Sequence, residues 1–193
     1  MSKIPSELEN PIDIFYLNMC DKISPFFYNY GVSPNMITTI SLLCTVLVII
    51  LLLHANYIWA ALFVLIAYFF DSLDGYYARK YSMTSKFGAL YDSLTDDFGV
   101  IAILITLYYI NPTKFYHVLP VIIIAWLLGL MQIGCQDLYF GKNVDHISFI
   151  PKYLCIAKKD DKNDLYNKLR FIRFFSFGTF TFIVALCIIY YKF

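Results

Sequence analysis

From Met36 to His54 the chain runs without a charged side chain, close to the roughly 20 residues that one helix needs to cross a bilayer. Four further apolar runs follow: Tyr57 to Phe70, Phe98 to Ile110, Tyr116 to Cys135 and Phe174 to Tyr191. Hydrophobic residues make up 60% of the 193 positions and charged residues only 15%, and a domain this small cannot hide so much apolar surface from water. Lipid is therefore the solvent for most of the chain. The spacing predicts an all-α, polytopic transmembrane bundle with five clear spans, forming one integral membrane domain over residues 1–193. Residues 1–34 form a cytosolic or interfacial segment and 35–193 the bundle. Residues 144–157, broken by Pro151, are either a short or re-entrant sixth piece or lie outside the membrane.

Ser33-Pro34 marks the start of the first span, with serine as N-cap and proline at the first helical position. Before it, Ile12, Phe15, Tyr16, Met19, Cys20, Ile23, Phe26 and Phe27 recur at three- and four-residue spacing. That pattern predicts an amphipathic helix ending near Pro25, which either lies in the headgroup layer or packs on the ends of the bundle. Glu7, Glu9, Asp13 and Asp21 do not fit a cleavable leader. All fifteen basic residues except Lys114 and Lys192 fall on one side if the N-terminus is cytosolic, and the positive-inside bias predicts that orientation. A net charge of +1 leaves no electrostatic footprint for nucleic acid. The five cysteines, odd in number and without a CxxC pair, are expected to be packing residues with no disulfide among them.

The second and third apolar runs are short, and both become long enough to span if the polar stretches beside them are helical and face a cavity. Asp71, Asp74, Gly75 and Ala78 then form one stripe, and Gly88, Asp92 and Asp96 form another, on helices joined by a turn around Tyr81–Ser85. At 1.5 Å rise per residue, Asp71 and Asp96 both lie roughly 15 Å from that turn, so four carboxylates meet part-way into the membrane. Each would cost about 2.5–3.5 kcal/mol at a helix centre, and salt bridges to offset this would need several nearby cations. Only Arg79 lies on the stripe region, with Lys80 and Lys86 at the turn. Hard divalent cations, Mg²⁺ or Mn²⁺, suit such an oxygen-rich cluster, and two of them would neutralise it. Gly75 and Ala78 leave a groove for a ligand or for close helix packing. Arg79 is suited to a phosphate or to snorkelling at the interface. Asp97 projects about 100° away from Asp96 and reads as structural.

The full pattern, DxxDGxxAR, eight residues, then GxxxDxxxD, runs complete from Asp71 to Asp96. Its eight fixed positions coincide by chance at ~10⁻¹⁰ per start site. The chain thereby resembles the CDP-alcohol phosphatidyltransferase family, and Ser33-Pro34-Asn35 to Thr38 adds a weaker likeness. The resemblance implies a dimeric membrane enzyme, usually of six helices, that displaces CMP from a CDP-linked substrate with an alcohol. It implies Asp71, Asp74 and Asp92 as metal ligands, with Asp96 completing the cluster and serving as general base. Gly75, Ala78, Arg79 and Gly88 would line the CDP moiety. Arg170 and Arg173 either bind an anionic headgroup or acceptor phosphate or simply follow the positive-inside bias. The substrates fit CDP-diacylglycerol with a small polar alcohol such as inositol, serine or glycerol phosphate. A soluble CDP-choline or CDP-ethanolamine with diacylglycerol uses the same motif. A cation transporter or channel is disfavoured because Tyr57–Phe70 and Phe98–Ile110 carry no charge to continue a path.

Overall fold

The computed structural model describes residues 5–140, 154–155 and 162–193. After a 3₁₀ turn at Ser6–Leu8 come α1 (Pro11–Asn29), α2 (Pro34–Leu53), α3 (Tyr57–Lys80), α4 (Lys86–Ile110) and α5 (Pro112–Phe140). They are followed by α6 (Lys162–Ile172), a 3₁₀ turn at Arg173–Phe175 and α7 (Phe177–Tyr190). Among the described residues, five segments are long and apolar enough to cross a membrane: α2 to α5, and the stretch from Lys162 to Tyr190. Among the described residues there is no strand. Residues 144–157, apart from Leu154 and Cys155, lie outside the described residues.

Local signals set the boundaries. The Ser33 hydroxyl accepts from the Met36 N–H to open α2, and the Ser85 hydroxyl accepts from the Gly88 N–H at 2.9 Å to open α4. Both short apolar runs are completed by their polar flanks: α3 continues through Asp71 and Asp74 to Lys80, and α4 begins at Lys86. The last span is interrupted where Ser176 turns extended before α7.

α3 is the central helix, packed against α1, α2 and α7. Ala60, Ala61 and Val64 of α3 meet Val48 and Leu52 of α2 and Val184, Ala185 and Ile188 of α7 in the main core. The small residues let backbones approach where lipid supplies no hydrophobic drive between helices. Outward faces carry Leu43, Trp59, Phe98, Ile101, Ile105 and Leu186, as a lipid solvent requires. Away from the acids, Tyr57, Tyr108, Tyr116 and Tyr190 cluster with Lys114, whose ammonium donates to the Tyr191 carbonyl at 3.1 Å. Such a tyrosine belt fits a membrane–water boundary.

α1 packs on the bundle and keeps Phe15 and Phe26 exposed on its outer side. Contrary to the expected stop near Pro25, it continues to Asn29. Pro25 leaves the Asp21 carbonyl without its helical donor, and the Ser24 hydroxyl (3.2 Å) and Lys80 ammonium (3.3 Å) supply the missing bonds. The Asp21 carboxylate also accepts from Lys80 at 2.7 Å and from the Tyr76 hydroxyl at 2.6 Å. The Lys80 hydrogen bond first, and that of Tyr76 second, holds the Asp21 carboxyl below the usual carboxylate range. A depressed folded value means this tether is intact above the free-chain value of about 3.9 and is lost as pH falls through the lower folded value. Hydrogen exchange over residues 19–29, corrected for its intrinsic pH dependence, should stay slow to about pH 4 and accelerate below it. Lys80→Ala should give the fast exchange already at neutral pH.

The cysteine expectation is corrected in part. Cys135, near the end of α5, is disulfide-bonded to Cys155, with Cα atoms 5.0 Å apart. The two residues lie 20 positions apart, and their linear spacing does not reveal that they meet. Cys20, Cys44 and Cys187 are free, and Cys20 and Cys187 are buried as packing residues.

Candidate metal and nucleotide site

The turn between Lys80 and Lys86 joins α3 to α4, both helices pack against α2, and the polar half of each contributes acids to one cluster. Carboxylate oxygens of Asp71, Asp74 and Asp92 all lie within 4.8 Å of one another. Asp74 is buried, and its Oδ2 accepts from the Thr38 hydroxyl of α2 at 2.5 Å. Asp92 lies within hydrogen-bonding reach of Asp71 and Asp74, yet its Oδ1 is buried without a hydrogen-bond partner. Asp96 stands outside the trio, exposed at the edge of the site and in hydrogen-bonding reach of Asp71. Asp97 is exposed beside it.

Among the described residues, none of these four acids is ion-paired; the two ion pairs are Lys80–Asp21 and Lys168–Asp164. An unpaired carboxylate trio with an orphaned oxygen, at membrane depth, is a donor set for a hard dication. These residues fit such an ion.

A side chain at Gly75 or Gly88 would crowd neighbouring polar side chains. A Cβ on Gly88 would stand 2.9 Å from the Ser85 hydroxyl and 3.0 Å from the Asn35 side-chain oxygen. A Cβ on Gly75 would stand 3.1 Å from an Arg79 guanidinium nitrogen, because Arg79 folds back along α3 over that glycine. Its guanidinium sits in the field of Asp74, then of Glu9 and Asp92. A guanidinium on an exposed side chain therefore lies in reach of the acids, and Ala78 belongs to the same stretch of α3.

Arg170 is exposed on α6. Arg173 stacks on Phe174 and donates to the Glu7 carbonyl at 2.6 Å, while its Nε is buried without a partner. Neither forms an ion pair with the four acids. Sequence reasoning noted Thr38 only as part of a weak likeness and missed its bond to Asp74. The available signal was a hydroxyl one turn after Pro34, among four hydroxyl residues (Thr38, Thr39, Ser41 and Thr45) in an uncharged span.

A helical membrane bundle in which acids from two of its spans meet defines an integral, multi-pass membrane protein with a donor set that could hold a divalent ion. The chain belongs to the CDP-alcohol phosphatidyltransferase family, whose description matches residues 31–157. It is 31% identical over 96 residues to an archaetidylinositol phosphate synthase of Pyrococcus horikoshii, covering 50% of this chain and 47% of that one. It is 33% identical over 131 residues to a phosphatidylinositol phosphate synthase of Cutibacterium acnes, covering 66% and 58%. With a CDP-diacylglycerol–glycerol-3-phosphate 3-phosphatidyltransferase of Cereibacter sphaeroides it shares 32% identity over 97 residues, covering 48% and 44%. The chain thus spans about half the length of the curated relatives it matches. No solved structure matches it.

Proposed function

We propose that this protein transfers a phosphoryl-linked lipid from CDP-diacylglycerol to the hydroxyl of a phosphate-bearing alcohol, releasing CMP. The observation that carries the reading is the unpaired trio Asp71, Asp74 and Asp92 with the orphaned Asp92 Oδ1. The acceptor class is supported by the relatives: the names of all three carry a phosphate on the headgroup or acceptor, inositol phosphate in two and glycerol 3-phosphate in the third.

In this reading Asp71, Asp74 and Asp92 hold Mg²⁺ or Mn²⁺, two ions neutralising the four acids once Asp96 is counted. Bound there, the dications supply Lewis-acid stabilisation of charge on the diphosphate. Thr38 fixes the rotamer of Asp74. Arg79 binds the diphosphate through its planar fork, and the bare backbones at Gly75 and Gly88, with the small side chain of Ala78, admit the CDP moiety. The acceptor hydroxyl attacks the phosphorus that carries the lipid, the bond from that phosphorus to the CMP oxygen breaks, and the hydroxyl proton passes to Asp96. The exposed place of Asp96 at the edge of the trio supports a proton acceptor. Arg173, with a guanidinium N–H still unpaired, and Arg170 take the acceptor's phosphate.

The N-terminus and the site face the cytosol, as the basic residues favour. A second copy is proposed to pack on α4, opposite the acids, where Phe87, Leu94, Ile101 and Tyr108 recur every seven residues with Phe98 and Ile105 between them, all exposed.

Purified protein in lipid, given Mn²⁺ or Mg²⁺ and labelled CDP-diacylglycerol, should release CMP with an inositol phosphate or glycerol phosphate and not with the unphosphorylated alcohols. Turnover of CDP-choline with diacylglycerol would replace this reading by its sibling. Silence across both panels, with the fold intact, would overturn the enzyme assignment.

A further inference from the structure

The first turn of α1 holds together two parts of the protein that meet elsewhere through apolar side chains. The Asp13 carboxylate accepts from the Tyr68 hydroxyl of α3 at 2.9 Å and lies directly against Gly178 in the first turn of α7, within reach of its backbone N–H. A Cβ on Gly178 would collide with Asp13 Oδ1, so the contact needs that glycine. Ser176, the residue at the N-cap of α7, makes no side-chain capping bond. A carboxylate from another helix therefore serves this helix start, where free N–H groups and the helix dipole favour negative charge.

The neighbouring residues extend the link. Asn10 is 1% exposed; its oxygen caps α1 at the Ile12 N–H (2.7 Å), and its amide donates to the Thr179 hydroxyl at 2.8 Å. Thr179 donates in turn to the Phe174 carbonyl at 2.6 Å. The Glu7 carbonyl and carboxylate accept from Arg173 and from Tyr166 of α6. On α3, Tyr68 lies one turn before Asp71. The apolar α3–α7 contacts can slide, because burial of apolar area has no direction. These hydrogen bonds have geometry and fix the register.

We propose that Asp13 is a positioning residue that locks the corner carrying Arg173 onto the acid-bearing helix α3, and so sets where a phosphorylated acceptor stands relative to the reacting phosphorus. This rests on the reaction proposed above.

The test compares Asp13→Asn, Tyr68→Phe and Gly178→Ala with the wild type in lipid, at matched thermal stability. Steady-state kinetics are run separately in CDP-diacylglycerol and in glycerol 3-phosphate or inositol phosphate. Loss of a hydrogen bond to a charged group should raise the acceptor KM about tenfold in Asp13→Asn and less in Tyr68→Phe. The KM for CDP-diacylglycerol should stay within about twofold. A folded Asp13→Asn protein whose two KM values are unchanged, or rise together, would overturn the proposal. Hydrogen exchange over residues 176–182 is the arm independent of turnover: it should accelerate in Asp13→Asn and Gly178→Ala. If the wild type transfers to no acceptor, the reaction reading fails alone. Unchanged exchange in both variants would overturn the clamp itself.

Discussion

Asp92→Asn is expected to lower CMP release by about three orders of magnitude or more, and to remove saturable activation by Mn²⁺. The asparagine keeps the shape and one oxygen but takes away a charge. It also aims an amide into a space enclosed by Asp71 and Asp74, whose oxygens lie within 4.8 Å. The wild-type Asp92 Oδ1 is buried without a partner, so no protein group is released to compensate. Several kcal/mol of charge stabilisation on the diphosphate would go with the ligand, and each 1.36 kcal/mol is a decade in rate. Initial rates across a Mn²⁺ series, with calorimetric titration of the ion into the same preparation, measure both effects. Retention of wild-type ion affinity in a folded Asp92→Asn protein would remove Asp92 from the ligand set.

The second large effect falls one turn further along α4. Asp96→Asn should lower kcat by about 10²–10⁴, the usual contribution of a general base, while Mn²⁺ and CDP-diacylglycerol bind with little change. The geometry separates the two residues: Asp92 lies in the trio, whereas Asp96 lies at its exposed edge, attached through Asp71. Titration of Mn²⁺ into each variant in parallel distinguishes the roles. Equal loss of ion binding in both would make Asp96 a ligand and leave the proton without an acceptor.

The acid cage was readable from sequence because a helix is a rigid ruler. Spacings of three, four and seven residues determine which carboxylates share a face, and a five-residue turn joins the two helices. The spans were readable because bilayer thickness fixes helix length. What escaped depends on contacts between distant residues. The passage of α1 through Pro25 needs Ser24 and a lysine from α3 to satisfy one carbonyl. The Cys135–Cys155 bond joins residues 20 positions apart. The Asp13–Gly178 contact joins opposite ends of the chain, and neither residue stands out locally. Thr38 is one of four hydroxyl residues in α2, and nothing in its neighbourhood names Asp74 as its partner.

Because Asp71, Asp74 and Asp92 sit on consecutive helices, the loop that brings them together is short, and the entropy lost in closing it is small. During synthesis α3 and α4 emerge one after the other, so a cation held by these three acids would find all its ligands before α5 has left the ribosome. Such early capture would shield three charges from hydrocarbon at the stage when no later helix is present to do so. The corner carrying Arg173 is made only after α5 and α6. Ion availability in the growing cell would then govern how efficiently new chains insert, apart from any part it has in turnover.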